Sequence, residues 1–359
     1  MKNKPIILVA GEPKSIFFEI FFKAIKIKKY KSPLILICCK KILLQEQPTQ
    51  LNLAYGNFLL AKYERKTKNY ENELNYLIKA HNNYFNIHKK KFDLNNKFCF
   101  DDVHQIRKGV KLEKTNIKNK VNIKPIFIIG VPRCGSTLVE RIIGSGIKLI
   151  PIGEETGVIG KYIREKVLEK QSLNLGSNEE IEEELFNIYK ERGLISKNFD
   201  YVFTDKSLDN FFYLEYIKEI YPEAKIINCK RDNLASIMSI FQNNLTTLAW
   251  THNLDNIFKY FNSYLEIIKD YKKENFNNFY ELNYEELISN PEAESKKLMK
   301  FCDLPWDKKC LEFYKRKDLF SKTASNIQIR KSIYKDSVNK YLPYKFLFKK
   351  YEDKFSWFK

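Results

Sequence analysis

The most constraining feature of this sequence is a stretch near its middle that reads PIFIIGVPRCGSTLVERIIGSG. The apolar run that ends at Gly130 is typical of a strand buried on both faces, and the residues from Ser136 onward have the spacing of an amphipathic helix. The turn between them, rich in small residues, predicts a backbone cradle for an anion at a helix start. Because the Gly-Lys pair of a Walker loop is absent, the turn disfavours a triphosphate bound through a metal ion.

Strand-like and helix-like segments alternate from residue 119 to the end of the chain. Three further apolar runs, YVFTD, AKIINCK and NFYELNY, have the length of short buried strands. This alternation predicts an α/β fold for residues 119–359, with a P-loop-like parallel sheet flanked by helices. In such sheets ligands bind beyond the carboxyl ends of the strands, which is where the turn after Gly130 falls.

Residues 1–46 predict a short β-α-β appendage, with PIILVA and PLILICC as its strands. Residues 1–45 resemble the N-terminus of 4-hydroxythreonine-4-phosphate dehydrogenase, in which a Gly-Glu-Pro turn also follows the first strand. That enzyme uses metal-binding histidines, and this chain has only four histidines in all. We therefore interpret the appendage as structural and without that activity.

Residues 47–118 form the second predicted region, whose apolar residues recur near helical spacing. Gly56, Tyr70 and Ala80 resemble positions of a tetratricopeptide hairpin. The interval from Gly56 to Tyr70 is longer than the standard repeat allows, and no second copy follows, although a solenoid needs several. The pattern favours an ordinary helical packing layer over a peptide-binding array.

The composition limits the kinds of partner that the protein is expected to bind. A formal charge of +19 and a pI near 9.3 would allow it to bind nucleic acid, a membrane surface or a phosphorylated or sulfated small molecule. The lysines are spread along the whole chain, however, and this distribution favours a solvated surface. Seven cysteines without a CxxC pair predict a reducing compartment and no zinc site. No apolar run reaches the length of a signal peptide or a membrane span. We therefore expect a cytoplasmic protein that binds neither membrane nor nucleic acid, and its oligomeric state is left open.

The segment PIFIIGVPRCGSTLVERII carries a family resemblance. It resembles the 5′-phosphosulfate loop of sulfotransferases that use 3′-phosphoadenosine-5′-phosphosulfate (PAPS), above all the tetratricopeptide-containing and the tyrosylprotein sulfotransferases. The resemblance is strong over residues 119–345 and implies that no metal is needed. It implies that the phosphosulfate is bound by Arg133, Cys134, Gly135, Ser136 and Thr137. It also implies a catalytic role for Arg133, which would stabilise the charge that develops on the sulfuryl oxygens and the leaving phosphate.

A second motif reads INCKRDNLASIMSIFQNN. It resembles the 3′-phosphate site of the same family, in which an arginine at a strand end is followed eight residues later by a serine. Arg231 and Ser239 have this spacing, and Asp232 or Asn233 can cap the helix between them. The resemblance implies that Arg231 and Ser239 bind the 3′-phosphate of PAPS.

Two further motifs supply catalytic candidates. The stretch IPIGEETGVI resembles the Gly-Glu-Glu-Thr segment of the tyrosylprotein enzymes, which implies that Glu155 is the base and leaves Glu154 as a cap or an ion-pair partner. Its distance from Arg133 is one residue longer than in those enzymes. In FTDKSLDN, Lys206 follows a strand and is implied to stabilise charge on the bridging oxygen, with Asp205 as its orienting neighbour.

The C-terminal segment SKTASNIQIRKSIYKDSVNKY completes the resemblance. Ser325 is implied to contact the reacting sulfonate, and Gln328 and Lys340 are implied to cover the nucleotide. Tyr341 stands where the family usually has tryptophan. Tyr284, in ELNYEELISNPE, matches a tyrosine near the nucleotide, although a packing role would explain it equally well.

Together these motifs predict an enzyme that transfers a sulfuryl group from PAPS to an acceptor hydroxyl without a metal ion. The Gly-Glu-Glu-Thr stretch favours a peptide tyrosine as acceptor, and small phenols, lipids and glycans stay open. One alternative is a non-catalytic adaptor that binds an anion or a peptide, which would not need Glu155 and Lys206 together. The other is a divergent P-loop kinase, which should carry Gly-Lys-Ser/Thr in the loop.

Overall fold

The computed structural model divides into two compact units, Met1–His88 and Lys89–Lys359. The structure describes residues 6–9, 34–37, 49–113, 123–196, 201–274, 277–316, 333 and 341–358.

The N-terminal unit contains a strand pair and a helical hairpin. Strands β1 (Ile6–Val9) and β2 (Leu34–Ile37) run parallel, as predicted for the appendage, and the predicted helix between them lies outside the described residues. Helices α1 (Gln50–Lys66) and α2 (Tyr70–Ile87) pack against each other. The helical character predicted here is therefore confirmed, whereas the tetratricopeptide interpretation and the domain boundaries at 46 and 118 stay predictions.

The C-terminal unit is built on a four-stranded sheet in which every pair of neighbouring strands is parallel. Its strand order is β6 (Val202–Asp205), β4 (Lys124–Gly130), β7 (Lys225–Lys230) and β8 (Phe279–Asn283). The interior residues of β4 are buried on both faces, as its continuous apolar sequence predicts. The predicted parallel α/β fold is thus confirmed, with all four predicted strands in place.

A second, smaller sheet joins β3 (Lys111–Glu113) to β5 (Asn174–Ser177), also in parallel. One π-helical turn, Phe98–Asp102, precedes α4. The α-helices of this unit are α3 (Lys89–Lys97), α4 (Val103–Gly109), α5 (Ser136–Gly144), α6 (Val158–Lys170), α7 (Asn178–Glu191), α8 (Leu214–Ile220), α9 (Asn233–Phe241), α10 (Leu254–Glu274), α11 (Tyr284–Ser289), α12 (Pro291–Phe301) and α13 (Lys345–Phe348). Short 3-10 helices cover Leu208–Tyr213, Ala249–His252, Lys308–Lys315, Leu342–Tyr344, Lys349–Tyr351 and Ser356–Phe358.

Side-chain caps fix where the helices that follow the strands begin. Asp232 accepts a hydrogen bond from the amide of Ala235 at the start of α9, as predicted, and Asn283 accepts one from the amide of Glu286 at the start of α11. These caps set the direction of the chain directly after β7 and β8.

None of the helices in the described ranges combines the length and the apolar character of a membrane-spanning segment.

A buried hydrogen bond ties the longest helix to the sheet. The Tyr264 hydroxyl of α10 donates to the Asn228 side-chain oxygen of β7 over 2.6 Å, and both residues are buried. Tyr264→Phe removes the donor and leaves a buried acceptor unsatisfied, so it should lower the free energy of unfolding by about 1–3 kcal/mol. Urea-induced unfolding measures this. Tyr314→Phe, at an exposed tyrosine, is the control, and an equal effect of the two substitutions would contradict the assignment.

Candidate active site

The predicted site residues that the structure describes lie at one edge of the main sheet. The turn after Gly130 follows β4, Lys206 follows β6, Arg231 follows β7 and Tyr284 follows β8. Since the four strands are parallel, their carboxyl ends meet at this edge. The sheet therefore gathers segments that are far apart in the sequence.

The turn between β4 and α5 depends on left-handed backbone conformations. Gly130, Arg133 and Gly135 have φ angles of 150°, 71° and 100°. A Cβ atom on Gly135 would collide with the ring of Tyr284, so this position needs glycine both for its φ and for the close approach. The amide of Cys134 donates to the carbonyl of Val131 over 3.2 Å, which closes the turn.

Helix α5 begins directly after this turn. The first N–H groups of an α-helix have no acceptor within the helix, and the helix dipole makes this end positive. Ser136 and Thr137 occupy the first helical positions and are buried. The Cys134 side chain points inward; burial opposes its ionisation, but hydrogen bonds from Cys229 and Ser136 and the charge of Lys206 lower its pKa overall. Any contact of Cys134 with an anion would thus be through the backbone.

A cationic cluster forms beside the turn. The Arg133 Nε atom donates to the Ser239 hydroxyl over 3.1 Å, and Arg231 Nη1 donates to the carbonyl of Arg133 over 2.9 Å. The Arg231 guanidinium lies 5.0 Å from the centre of the Tyr284 ring, in cation–π contact. Residues from three separate motifs, which the sequence assigns to one nucleotide site, are therefore neighbours in space.

A second cluster lies at the end of β6, where residues 151–155 run beside the strand. The Lys206 amide donates to the carbonyl of Gly153 over 2.8 Å, and the Glu155 amide donates to the carbonyl of Lys206 over 2.9 Å. The Lys206 Nζ atom is 2.8 Å from Glu155 Oε1 and 3.6 Å from Glu154 Oε1. The Lys206 side chain is fully buried, whereas that of Glu155 is 48% exposed. Glu155 thus stands between a buried cation and the surface.

The charges around Lys206 are strongly coupled. Burial lowers the pKa of Lys206, but the carboxyl groups of Glu140, Glu155 and Glu154 more than offset this and raise it, so the ammonium form persists. Glu140 of α5 is itself fully buried, and desolvation raises its pKa from 4.5 to about 8 against the opposing charge of Lys206 and a hydrogen bond from Thr204. Burial therefore opposes the ionisation of Glu140 more strongly than the charge of Lys206 favours it.

Asp205 anchors the turn after Glu155. Its carboxylate accepts hydrogen bonds from Tyr189 and Ser207, each over 2.6 Å, and from Asn210 over 3.4 Å. The Ser207 hydroxyl in turn accepts from the amide of Gly157 over 2.8 Å. The expected orienting role beside Lys206 is thus taken by the two glutamates, while Asp205 holds the backbone at residues 156–157.

The remaining predicted residues are in the C-terminal segment. Ser325, Gln328 and Lys340 lie outside the described residues. Tyr341 is described, and its hydroxyl lies 3.4 Å from Asp232 Oδ2, next to Arg231 in the sequence. Tyr341 therefore lies close to the cationic cluster, although it is far from Arg231 in the sequence.

Two residues of the second cluster, Glu140 and Thr204, were missed by the sequence analysis. Glu140 is a charged residue within the apolar pattern of α5, where neighbours such as Val139 and Ile142 are buried. A buried ionisable group in a helix next to a binding loop is a signal of a site. No such signal marks Thr204, because threonine is common in strands.

The comparisons with known proteins agree on one family. The sequence profile of the sulfotransferase family matches residues 125–308, more than half of the chain, and the chain therefore belongs to this family. An uncharacterized protein of Aquifex aeolicus (strain VF5) is 30% identical over 313 residues, which cover 83% of this chain and 40% of that protein. Protein-tyrosine sulfotransferase A of Caenorhabditis elegans is 26% identical over 206 residues, which cover 52% of this chain and 51% of that protein.

The chain spans less than two thirds of the length of each of these two relatives, 40% and 51% respectively. Among solved structures, it is similar to the sulfotransferase domain of the Synechococcus PCC 7002 olefin synthase, with 18% identity and a TM-score of 0.44 over 65% of this chain and 91% of that domain. In the part of the chain that the structure describes, no group of His, Cys, Asp and Glu side chains is arranged to hold a metal ion, and metal independence stays a prediction.

The raised pKa of Glu140 predicts a pH-dependent stability. Because the folded protein holds this proton up to about pH 8 and the unfolded chain releases it near pH 4.5, the wild type loses stability as pH rises through that window. Glu140→Gln removes the titration, so its stability relative to the wild type should rise with pH, by up to about 1.4 kcal/mol per unit. Urea unfolding at several pH values measures this, with Glu165→Gln, at an exposed carboxylate, as control. Parallel curves for Glu140→Gln and wild type would contradict it.

Proposed function

We propose that this protein transfers a sulfuryl group from PAPS to an acceptor hydroxyl. The observation that carries the proposal is the adjacency of two clusters at one sheet edge. A cationic cluster with a helix start suits the phosphates of the cofactor, and a half-exposed glutamate beside a buried lysine suits proton removal and charge stabilisation. Membership of the sulfotransferase family supports the same reaction class.

The residues present suit a nucleotide with phosphates at both its 3′ and 5′ positions. Arg231 and Ser239 would hold the 3′-phosphate, with Tyr284 fixing the plane of the Arg231 guanidinium. Arg133, which donates a hydrogen bond to Ser239, lies between the proposed 3′-phosphate position and the start of α5. The backbone amides at the start of α5 would hold the 5′-phosphosulfate. By resemblance, Ser325 would contact the sulfonate and Gln328 and Lys340 would cover the nucleotide.

The proposed reaction is an in-line displacement at sulfur. Glu155 takes the proton from the acceptor hydroxyl, whose oxygen forms a bond to the sulfur of PAPS. The bond from sulfur to the bridging 5′-phosphate oxygen breaks, and 3′-phosphoadenosine-5′-phosphate (PAP) leaves with that electron pair. Lys206 stabilises the charge on the bridging oxygen; a single well-placed donor of this kind contributes about 10²–10³-fold in kcat. The protein contributes mainly position and charge, as in phosphoryl transfer.

A tyrosine of a peptide is the acceptor we favour. Glu155 is 48% exposed, so a large acceptor can approach it from solvent. One relative with 26% identity is named a protein-tyrosine sulfotransferase. Small phenols, lipids and glycans are the other acceptors to screen, and the cytoplasmic location stays a prediction.

The adaptor alternative does not account for the burial of Lys206. A protein that only binds an anion would not need a lysine with no exposed surface beside two glutamates, because burying such charges costs free energy that packing does not return. A charge held at the reaction centre is useful to an enzyme. The kinase alternative lacks the loop lysine, since Arg133-Cys134-Gly135-Ser136 occupies the turn.

Arg231→Ala tests the cofactor assignment. The substitution should weaken binding of PAP by about 10–100-fold, since it removes a charge-assisted contact, and leave binding of adenosine 5′-phosphate nearly unchanged. Calorimetric titration measures both affinities. The control is Lys230→Ala, which removes the neighbouring positive charge. Lys230 forms an ion pair with Glu281 and has no proposed role in nucleotide binding. An equal loss for both nucleotides would overturn the role of Arg231.

Glu155→Gln tests the catalytic assignment. It should retain PAP affinity within about twofold and lower transfer by about 10²–10⁴-fold, because the amide cannot accept the proton. The assay follows labelled sulfate from PAPS to a tyrosine-containing peptide. Glu165→Gln, at an exposed glutamate on α6, is the control. Turnover of Glu155→Gln at the wild-type rate would remove Glu155 as the base.

A further inference from the structure

We propose that Glu140 is a positioning residue that acts through Thr204 on the backbone segment carrying Glu155. The catalytic consequence of this proposal rests on the proposed function, in which Glu155 and Lys206 are the working pair. The connection itself is a property of the fold and can be tested without any substrate.

Two hydrogen bonds in series form the connection. The Thr204 hydroxyl donates to Glu140 Oε1 over 2.9 Å and accepts from the amide of Gly153 over 3.0 Å. A hydroxyl has a single proton, so donation to Glu140 turns its lone pairs toward the amide of Gly153. Thr204 and Glu140 are fully buried, and Gly153 is buried as well. Helix α5, which begins at the anion-binding turn, is thereby linked through β6 to residue 153.

Gly153 has little freedom to move along β6. A Cβ atom there would collide with the carbonyl oxygen of Thr204 and lie 2.9 Å from Thr156 Cγ2, so the backbone already touches its neighbours. The carbonyl of Gly153 accepts from the Lys206 amide over 2.8 Å. Glu155 follows two residues later and reaches Lys206 Nζ over 2.8 Å. A shift of Gly153 would therefore alter the Glu155–Lys206 contact directly.

The proposed positioning role of Glu140 depends on the hydrogen bond that it accepts from Thr204. The charged groups around it are Lys206, Glu154 and Arg141, and Cys229 also lies near. Glu154 and Glu155 already face Lys206, so ionising a third buried carboxyl group would be unfavourable. A neutral carboxyl group accepts the Thr204 proton equally well, and the side-chain oxygen of glutamine can replace it. Glutamine should therefore rescue the function that alanine loses.

Two pairs of variants test the proposal, with Thr204→Val and Glu140→Ala expected to break the connection and Thr204→Ser and Glu140→Gln expected to keep it. The first readout is amide hydrogen exchange of residues 151–157, measured by mass spectrometry, with residues 226–229 of β7 as an internal reference. The broken variants should exchange about tenfold faster at 151–157 and as wild type at 226–229, since one buried hydrogen bond corresponds to about a factor of ten. Thr204→Val keeps the shape of the side chain and so covers the case that Glu140→Ala does not fold.

The second readout separates positioning from binding. The broken variants should lose about tenfold or more in kcat with labelled PAPS and a tyrosine-containing peptide, while PAP affinity by calorimetry stays within about twofold. The conservative variants should match the wild type in both. Wild-type exchange at 151–157 in Thr204→Val, faster exchange at 226–229 as well, or failure of glutamine to rescue alanine would each overturn the proposal. If the wild type binds no PAP and transfers no sulfate, the proposed function fails, and the exchange readout still decides the connection.

Discussion

The Lys206 ammonium group has no exposed surface and lies 2.8 Å from Glu155 and 3.6 Å from Glu154. Taking a lysine out of water costs several kcal/mol unless partners replace its hydration. Here the partners of the ammonium group, Glu154 and Glu155, belong to the segment 151–155. Backbone hydrogen bonds to β6 hold this segment in place. The close pairing of this segment with β6 therefore places two carboxyl groups beside the buried cation at the sheet edge.

The parallel sheet explains why this cation lies beside the cationic cluster of Arg133 and Arg231. Strands β4, β6 and β7 are adjacent, and their carboxyl ends bring the turn after Gly130, Lys206 and Arg231 to one edge. The Asp232 cap fixes the chain direction after β7, and Gly135 lets Tyr284 approach the turn. The positions of the residues proposed for binding and for catalysis are therefore set by strand order as well as by the loops.

The sequence predicts those parts of the fold and site that depend on local pattern. Apolar runs locate β4, β6 and β7, whose interior residues are buried, because strands buried on both faces have no polar alternation, whereas β8 is only partly buried. The eight-residue interval from Arg231 to Ser239 implies a shared site through the family resemblance, and in the structure both residues contact Arg133. The contact between Glu140 and Thr204 escapes prediction because the two residues are 64 positions apart and meet only through packing. The ion pair of Lys206 with Glu155 escapes for the same reason: the resemblance names both residues, but they are 51 positions apart and their contact depends on packing.

The nucleotide preference of the wild-type protein, measured by calorimetric titration with PAP, adenosine 5′-phosphate and ATP plus Mg²⁺, tests the proposed function most simply. We expect PAP to bind at least about tenfold more tightly than adenosine 5′-phosphate, because only PAP carries the phosphate that Arg231 and Ser239 would hold. We also expect ATP with Mg²⁺ to bind more weakly than PAP, since the turn lacks the lysine of a triphosphate site. Equal affinity for PAP and adenosine 5′-phosphate, or a preference for ATP with Mg²⁺, would contradict the proposed function.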